Sequence, residues 1–171
     1  MKKIAVIFGG SSSEKEVSMH TGLAVIDAIK GIYDVNGINI GNKFHDLHTK
    51  LFDCDVVFNA LHGGYGENGQ LQRYFDKYNI KYTGSGAQAS ELAMDKNQTK
   101  LIAQSNDIPI LDWKIIKKND KVNLNSLSFP LIIKPNDGGS TIGLYFVEDK
   151  DKFNNSISSA FNESNALIIE K

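Results

Sequence analysis

A lysine, Lys134, ends the short apolar run Leu131-Ile132-Ile133, and Gly138, Gly139, Ser140, Thr141 and Gly143 crowd together just beyond it. Residues of these types handle phosphate. Glycines let backbone N–H groups approach an anion, hydroxyls add donors, and an ammonium at a strand end supplies a point charge. The same stretch also reads as a β-hairpin, with LIIKP pairing to GLYFVE across a glycine-rich loop, and the two readings are compatible. A second loop, Gly9-Gly10-Ser11-Ser12-Ser13, follows the apolar run Lys3 to Phe8 and leads into Ser13-Glu14-Lys15-Glu16. That tetrapeptide has the S-x-x-E pattern of a helix-capping box. The N–H groups opening such a helix form an anion-friendly corner at the carboxyl end of a sheet, where open α/β folds bind ligands. Taken alone, Glu14 also suits a helix N-terminus, and His62 and Glu67 are ordinary loop residues.

Other chemistries are excluded by what is missing. There is no G-x-x-x-x-G-K-[ST] phosphate loop, no H-E-x-x-H and no G-x-S-x-G elbow. The four histidines are His20, His45, His48 and His62; His45 and His48 are three apart but sit in a polar link, so no metal set is assigned. Gly64 to Gly69 fits G-x-G-x-x-G and Gly84 to Ala89 fits G-x-G-x-x-A, yet neither opens the first strand–helix turn. No dinucleotide site is read from them.

The elements that must position these loops follow from periodicity. Lys3 to Phe8 is continuously apolar, as in a parallel strand buried on both faces. A helix carrying Gly22, Val25, Ile26 and Ile29 follows, then strands at Tyr33 to Ile40 and Asp55 to Leu61, with Asn42 to Phe52 as a polar connection. Leu71, Tyr74, Phe75 and Tyr78 repeat at helical spacing, Lys81 to Thr83 reads as a short strand, and a helix runs from about Ala87 to Ala93. Residues 1–93 therefore alternate β and α, which predicts an α/β domain with a doubly wound parallel sheet. From Met94 the order becomes α-β-β-β-α-β: a helix to Ser105 with Leu101 and Ile102 as its clearest apolar positions, strands at Trp113 to Lys117 and in the hairpin, a helix from about Asp151 to Phe161, and a strand Ala166 to Glu170. Residues 94–171 thus predict a second, smaller α+β lobe. Lys96, in the first turn of its helix, is poorly placed against the helix dipole unless it has other work.

Composition narrows the partners. Of the 171 residues 41% are apolar and 23% charged, with a net charge of −1 and a single arginine, Arg73, so nucleic acid and anionic membrane are not expected. Cys54 is the only cysteine, which excludes an intramolecular disulfide and suits a cytoplasmic protein. The opening MKKIAVIFGG has too short an apolar run for a leader peptide or a membrane span.

Six stretches taken in order resemble the D-alanine–D-alanine ligase family of the ATP-grasp superfamily: FGGSSSEKEVS (8–18), ALHGGYGENGQLQ (60–72), YTGSG (82–86), MDK (94–96), IIKPNDGGSTIG (132–143) and IIEK (168–171). The resemblance implies a Rossmann-like substrate domain over 1–93 and the first ATP-grasp subdomain over 94–171. It implies that Glu14 holds the ammonium of a first D-alanine, steadied by Ser140, with Val17, Ser18 and His62 also at the amino acid. Lys96 and Lys134 would contact ATP phosphates, the loop Gly138, Gly139, Ser140, Thr141 would close over them, Glu170 would reach the adenine amino group, and Lys171 would begin a hinge. A homodimer through the N-terminal domain is compatible with the family. Against the family pattern, the sequence stops at Lys171 before the second ATP-grasp subdomain. The fold is therefore expected to be truncated, the Mg²⁺ ligands are expected outside these residues, and the 171-residue chain alone is expected to be inactive. Ligases making D-alanyl-D-lactate or D-alanyl-D-serine, or a non-catalytic binding remnant, stay open as alternatives.

Overall fold

The protein is described by a computed structural model covering residues 1–41 and 44–171. It divides into two compact units, Met1–Glu91 and Leu92–Lys171, each with its own sheet.

In the first unit β1 (Lys3–Gly9) lies between β2 (Asp34–Ile40) and β3 (Val56–Asn59), and both pairings are parallel. A central parallel strand must be apolar on both faces, and β1 is. Ile4, Val6 and Phe8 pack on one side with Met19, Val25, Ile26 and Ile29 of α1 (Lys15–Ile29). Ala5 and Ile7 pack on the other with Leu47 and Leu51 of α2 (Leu47–Leu51) and with Leu71 and Phe75 of α3 (Gln70–Lys77). Helices on both faces make the sheet doubly wound, as the sequence predicts. Phe75 and Leu71 are fully buried, each contributing about 1.5–3 kcal/mol relative to exposure.

Three details differ from the sequence reading. The stretch read as a polar connection from Asn42 to Phe52 contains α2, because Leu47 and Leu51, one turn apart, bury themselves against the sheet; Asn42 and Lys43 lie outside the described residues. The strand expected at Lys81 to Thr83 is a single parallel bridge between Val57 and Tyr82. The capping box does not form: α1 begins after Glu14 with no side-chain cap, and the Glu14 N–H donates to Ser12 Oγ at 3.1 Å. Ser12, two residues earlier, offers an ST-turn that replaces the box.

Helix α4 (Ala87–Met94) runs across the division between the units. The second unit then continues with α5 (Lys96–Ser105), β4 (Trp113–Lys117), β5 (Leu131–Pro135), β6 (Tyr145–Val147), α6 (Lys150–Ala160) and β7 (Ala166–Glu170). Its sheet has the order β4-β7-β5-β6 and is antiparallel throughout. The hairpin reading of LIIKP and the following strand is realised, with Leu131 opposite Val147 and Ile133 opposite Tyr145. Leu131, Ile133, Val147, Leu167 and Ile169 form one face and pack on Phe153 and Ala160, the latter two from α6. Asp95 caps α5 by accepting from the Gln98 N–H, but Leu101 and Ile102 are 44% and 45% exposed and the helix buries no residue. Polar ties, described below, hold it instead.

At the crossing of α1 over β1, a methyl group on Gly22 would lie 2.4 Å from Phe8 Cβ, the root of a side chain with nowhere to swing. Alanine improves helix propensity by about 1 kcal/mol, yet the overlap should dominate: Gly22→Ala is expected to lower the stability of the first unit by about 1–3 kcal/mol. A chemical-denaturation midpoint equal to or above wild type would show that α1 moves aside.

Candidate functional site

Antiparallel register decides which side chains share a face. Ile132 opposes both Glu170 and Phe146, Lys134 opposes Ile168, and Trp113 opposes Glu170. Directly opposed residues point the same way, so Trp113, Ile132, Lys134, Phe146 and Glu170 stand on the face of the second sheet away from α6. Phe146 is 61% exposed there, beside a half-buried Ile132. Apolar and charged groups thus meet on one face, exposed at Phe146 and covered at Ile168 and Glu170.

Its charged centre is Glu170, a carboxylate only 6% exposed. Lys134 Nζ donates to Oε2 at 2.5 Å, and Lys100 Nζ, from α5, reaches Oε1 at 2.8 Å. Burial pushes the Glu170 carboxyl up, but the hydrogen bonds from Lys100 and Lys134 and their charges outweigh it, holding its pKa below the ordinary carboxylate value. Lys100 also lies 5.4 Å from the centroid of the Trp113 ring, and the Trp113 indole N–H donates to Asn97 Oδ1 at 2.9 Å. The Lys100–Glu170–Lys134 cluster carries one excess positive charge. Lys96 stands close by with a pKa lowered by burial and then by the charge of Lys134, partly offset by Asp137, Glu170 and Asp95.

Lys96 also braces the loop after β5. Its Nζ donates to the Gly138 carbonyl and its backbone N–H to the Asn136 carbonyl at 3.0 Å. Asn136, 7% exposed, accepts from the Asn97 N–H through Oδ1 at 2.9 Å. Beyond this root Ser140 and Thr141 have φ of 51° and 61°, followed by Gly143 at 71°. A left-handed conformation costs a side-chain-bearing residue roughly 1–2 kcal/mol, and Thr141 is β-branched. Strain of this kind concentrates at ligand clamps. Gly138 and Gly139 precede the strained pair, and at Gly139 a Cβ would meet open space. Lys171 is exposed, its backbone N–H 3.4 Å from the Asp112 carbonyl.

The first unit gathers a separate set at the carboxyl ends of β1 and β3. Ser12 donates to the His62 carbonyl at 2.5 Å, and Thr21 Oγ1 lies 3.0 Å from His62 Nε2. Glu67 Oε1 is 3.9 Å from His62 Nδ1. Gly63, at φ 67°, lies so near Glu14 that a Cβ there would be 2.7 Å from its Oε2. Glu14 and the His62 loop are therefore neighbours. Val17 is 50% exposed on α1. Ser18 is fully buried: its Oγ accepts from the Gly9 N–H at 2.9 Å and donates to the Ala60 carbonyl at 2.8 Å, joining the last residue of β1 to the residue just after β3. Its contacts in this structure are with backbone. No group of three or more His, Cys, Asp or Glu among the described residues is placed to hold a metal ion, and no helix there is long and apolar enough to cross a membrane.

The sequence alone does not single out Lys100, Asn136, Ser12 or Thr21. Lys100 had one legible signal, its position one turn after Lys96 on the same helix face.

Known proteins are similar to this chain in sequence and in fold. Residues 42–85 match the family model described as D-ala D-ala ligase N-terminus, and residues 102–171 match that described as D-ala D-ala ligase C-terminus. A D-alanine–D-alanine ligase from Haemophilus ducreyi is 36% identical over 99% of this chain. The crystal structure of D-alanine–D-alanine ligase from Bacillus anthracis superposes with a TM-score of 0.93 at 39% identity over all of this chain, covering 57% of that one. Its complex with ATP gives 0.90 at 38% identity, again over the whole chain and 58% of that structure. A doubly wound parallel sheet followed by this antiparallel sheet is the leading part of an ATP-grasp ligase fold. The chain belongs to the D-alanine–D-alanine ligase family. It spans 57% of the length of the curated relative from H. ducreyi.

The buried hydroxyl of Ser18 provides a direct test of local architecture. Ser18→Ala leaves the Gly9 N–H and the Ala60 carbonyl without their partner and should cost about 1–3 kcal/mol of stability. The readout is a shift of the unfolding midpoint at unchanged cooperativity; an unshifted midpoint would mean that water or backbone rearrangement replaces the hydroxyl.

Proposed function

We propose that these residues form the first-substrate and nucleotide-binding parts of an enzyme that joins two D-alanines at the expense of ATP. The γ-phosphoryl group moves to a carboxylate oxygen of one D-alanine, releasing ADP. The amine of the second then displaces phosphate from the acyl phosphate, giving D-alanyl-D-alanine for peptidoglycan. In this reading the protein works in the cytoplasm on small molecules, without nucleic acid or membrane, and pairs into a homodimer through its first unit. Boundaries at 1–93 and 94–171 separate the substrate domain from the first ATP-grasp subdomain.

The observation that carries the proposal is the Lys100–Glu170–Lys134 cluster on a partly exposed, partly apolar sheet face next to a loop held in strained backbone. An adenine ring needs a flat apolar surface and an acceptor for its amine, and Ile132, Phe146 and Glu170 supply both kinds of group. Phosphates need cations and N–H donors, which Lys96, Lys134 and the loop Gly138, Gly139, Ser140, Thr141 provide. Lys171 follows Glu170 at the end of β7 and begins the hinge. In the first unit Glu14 suits an ammonium, with His62 and Val17 beside it, and Ser18 shapes the corner from within. The ATP complex of the B. anthracis relative supports nucleotide use. When bound, Mg²⁺ would neutralise charge on the transferring phosphoryl group. The described residues offer no carboxylate cluster for it, so no role here depends on the metal.

Losing one charge-assisted contact to phosphate should cost about 1.5–3 kcal/mol, roughly tenfold to a hundredfold in affinity. Lys134→Ala is therefore expected to raise the ATP dissociation constant by that factor in the polypeptide produced from its own reading frame, measured by calorimetric titration. Circular dichroism should be unchanged, because Lys100 still pairs with Glu170. Equal affinity in a folded variant would remove Lys134 from the nucleotide site.

A further inference from the structure

We propose that Lys100 is a positioning residue for nucleotide binding: by holding Glu170 Oε1 it keeps the buried carboxylate paired and so frees Lys134 to turn to a phosphate. The inference rests on the nucleotide reading of this face.

A carboxylate that is 6% exposed cannot be left without a cation, because burying an unpaired charge is strongly unfavourable. If Lys134 were its sole partner, any phosphate that attracted Lys134 would have to compete with Glu170 for it. The structure contains a second cation on the other oxygen. Lys100 Nζ is 2.8 Å from Oε1 while Lys134 Nζ is 2.5 Å from Oε2, so each lysine uses its own carboxylate oxygen. Lys100 is also the more confined of the two. Its side chain is 14% exposed against 23% for Lys134, its ammonium is 3.3 Å from the Leu111 carbonyl, and the Trp113 ring lies 5.4 Å away. Trp113 is itself fixed by its N–H bond to Asn97. A cation held by a carboxylate, a carbonyl and an aromatic face is poorly placed to leave. Lys134, at the end of β5 beside the strained loop, has the freedom that Lys100 lacks. The division of labour is thus structural clamp for Lys100 and ligand contact for Lys134.

This arrangement predicts a coupling that a purely structural lysine would not show. In Lys100→Met, Lys134 becomes the sole partner of Glu170, and ATP affinity should fall about tenfold, the size of one lost charge-assisted contact. In a Glu170→Gln background the carboxylate charge is gone and Lys134 is free in any case, so adding Lys100→Met should change ATP affinity by less than about twofold. Lys100→Arg keeps a cation at Oε1 and should recover most of the loss. Independently of nucleotide, a ¹³C-carboxyl titration by NMR should find the Glu170 pKa raised in Lys100→Met, since burial remains and one lysine is lost. Equal losses from Lys100→Met in the wild-type and Glu170→Gln backgrounds would overturn the proposal, as would a Glu170 titration that does not move. Absence of ATP binding by the wild-type protein would instead overturn the nucleotide reading, while the carboxyl titration would still decide whether Lys100 governs Glu170.

Discussion

One carboxylate sets the terms for the second unit. Glu170 ends β7, the strand between β4 and β5, and is almost fully withdrawn from water. A charge in that position is tolerated only with partners of opposite sign and good geometry. β5 supplies one lysine and α5 the other, so the sheet and a helix that buries no side chain are tied by ion pairs. The exposure of Leu101 and Ile102 follows from this: α5 is held by its cap, by Asn136 and by Lys100 rather than by an apolar stripe.

Much of the fold was legible because its signals are local and redundant. The unbroken apolar run from Ile4 to Phe8 has one structural use, a strand covered on both sides, and the helical spacing of Leu71 and Phe75 identifies what covers one of them. The hairpin around Lys134 and the last strand up to Glu170 were readable for the same reason. Helix α2 was harder. Its two buried leucines are embedded in His, Thr and Lys, and five residues are too few for a periodicity to stand out. At Ser11-Ser12-Ser13 the three residues are chemically identical, so the choice of Ser12 over Ser13 depends on the path of the His62 loop, which sequence does not encode locally.

The candidate site divides along the same line. Loop glycines and the lysine at the end of β5 advertise themselves by type and spacing. Lys100 does not, because a lysine on a helix ordinarily faces solvent, and its meaning comes from a partner seventy positions away along the chain. Ser18 shows the converse. Its place in a recognisable stretch suggests ligand contact, whereas its hydroxyl is spent within the protein, joining the end of β1 to the backbone just after β3. A residue can thus serve a site by fixing the walls around it.

Asn136 joins the root of the glycine loop to the first turn of α5 through its carbonyl, its side-chain oxygen and the reach of Lys96 back to Gly138. Lys96 and Lys100 sit one helical turn apart on that same rigid segment. In the nucleotide reading proposed above, Lys96 would be preorganised, its ammonium held against the base of the loop, while Lys100 stays on Glu170. Dipoles and charges fixed in advance are worth more than mobile ones, since no reorganisation opposes them at the moment of reaction. The exposed tip at Ser140 and Thr141 lies beyond this braced root and carries the loop's left-handed backbone.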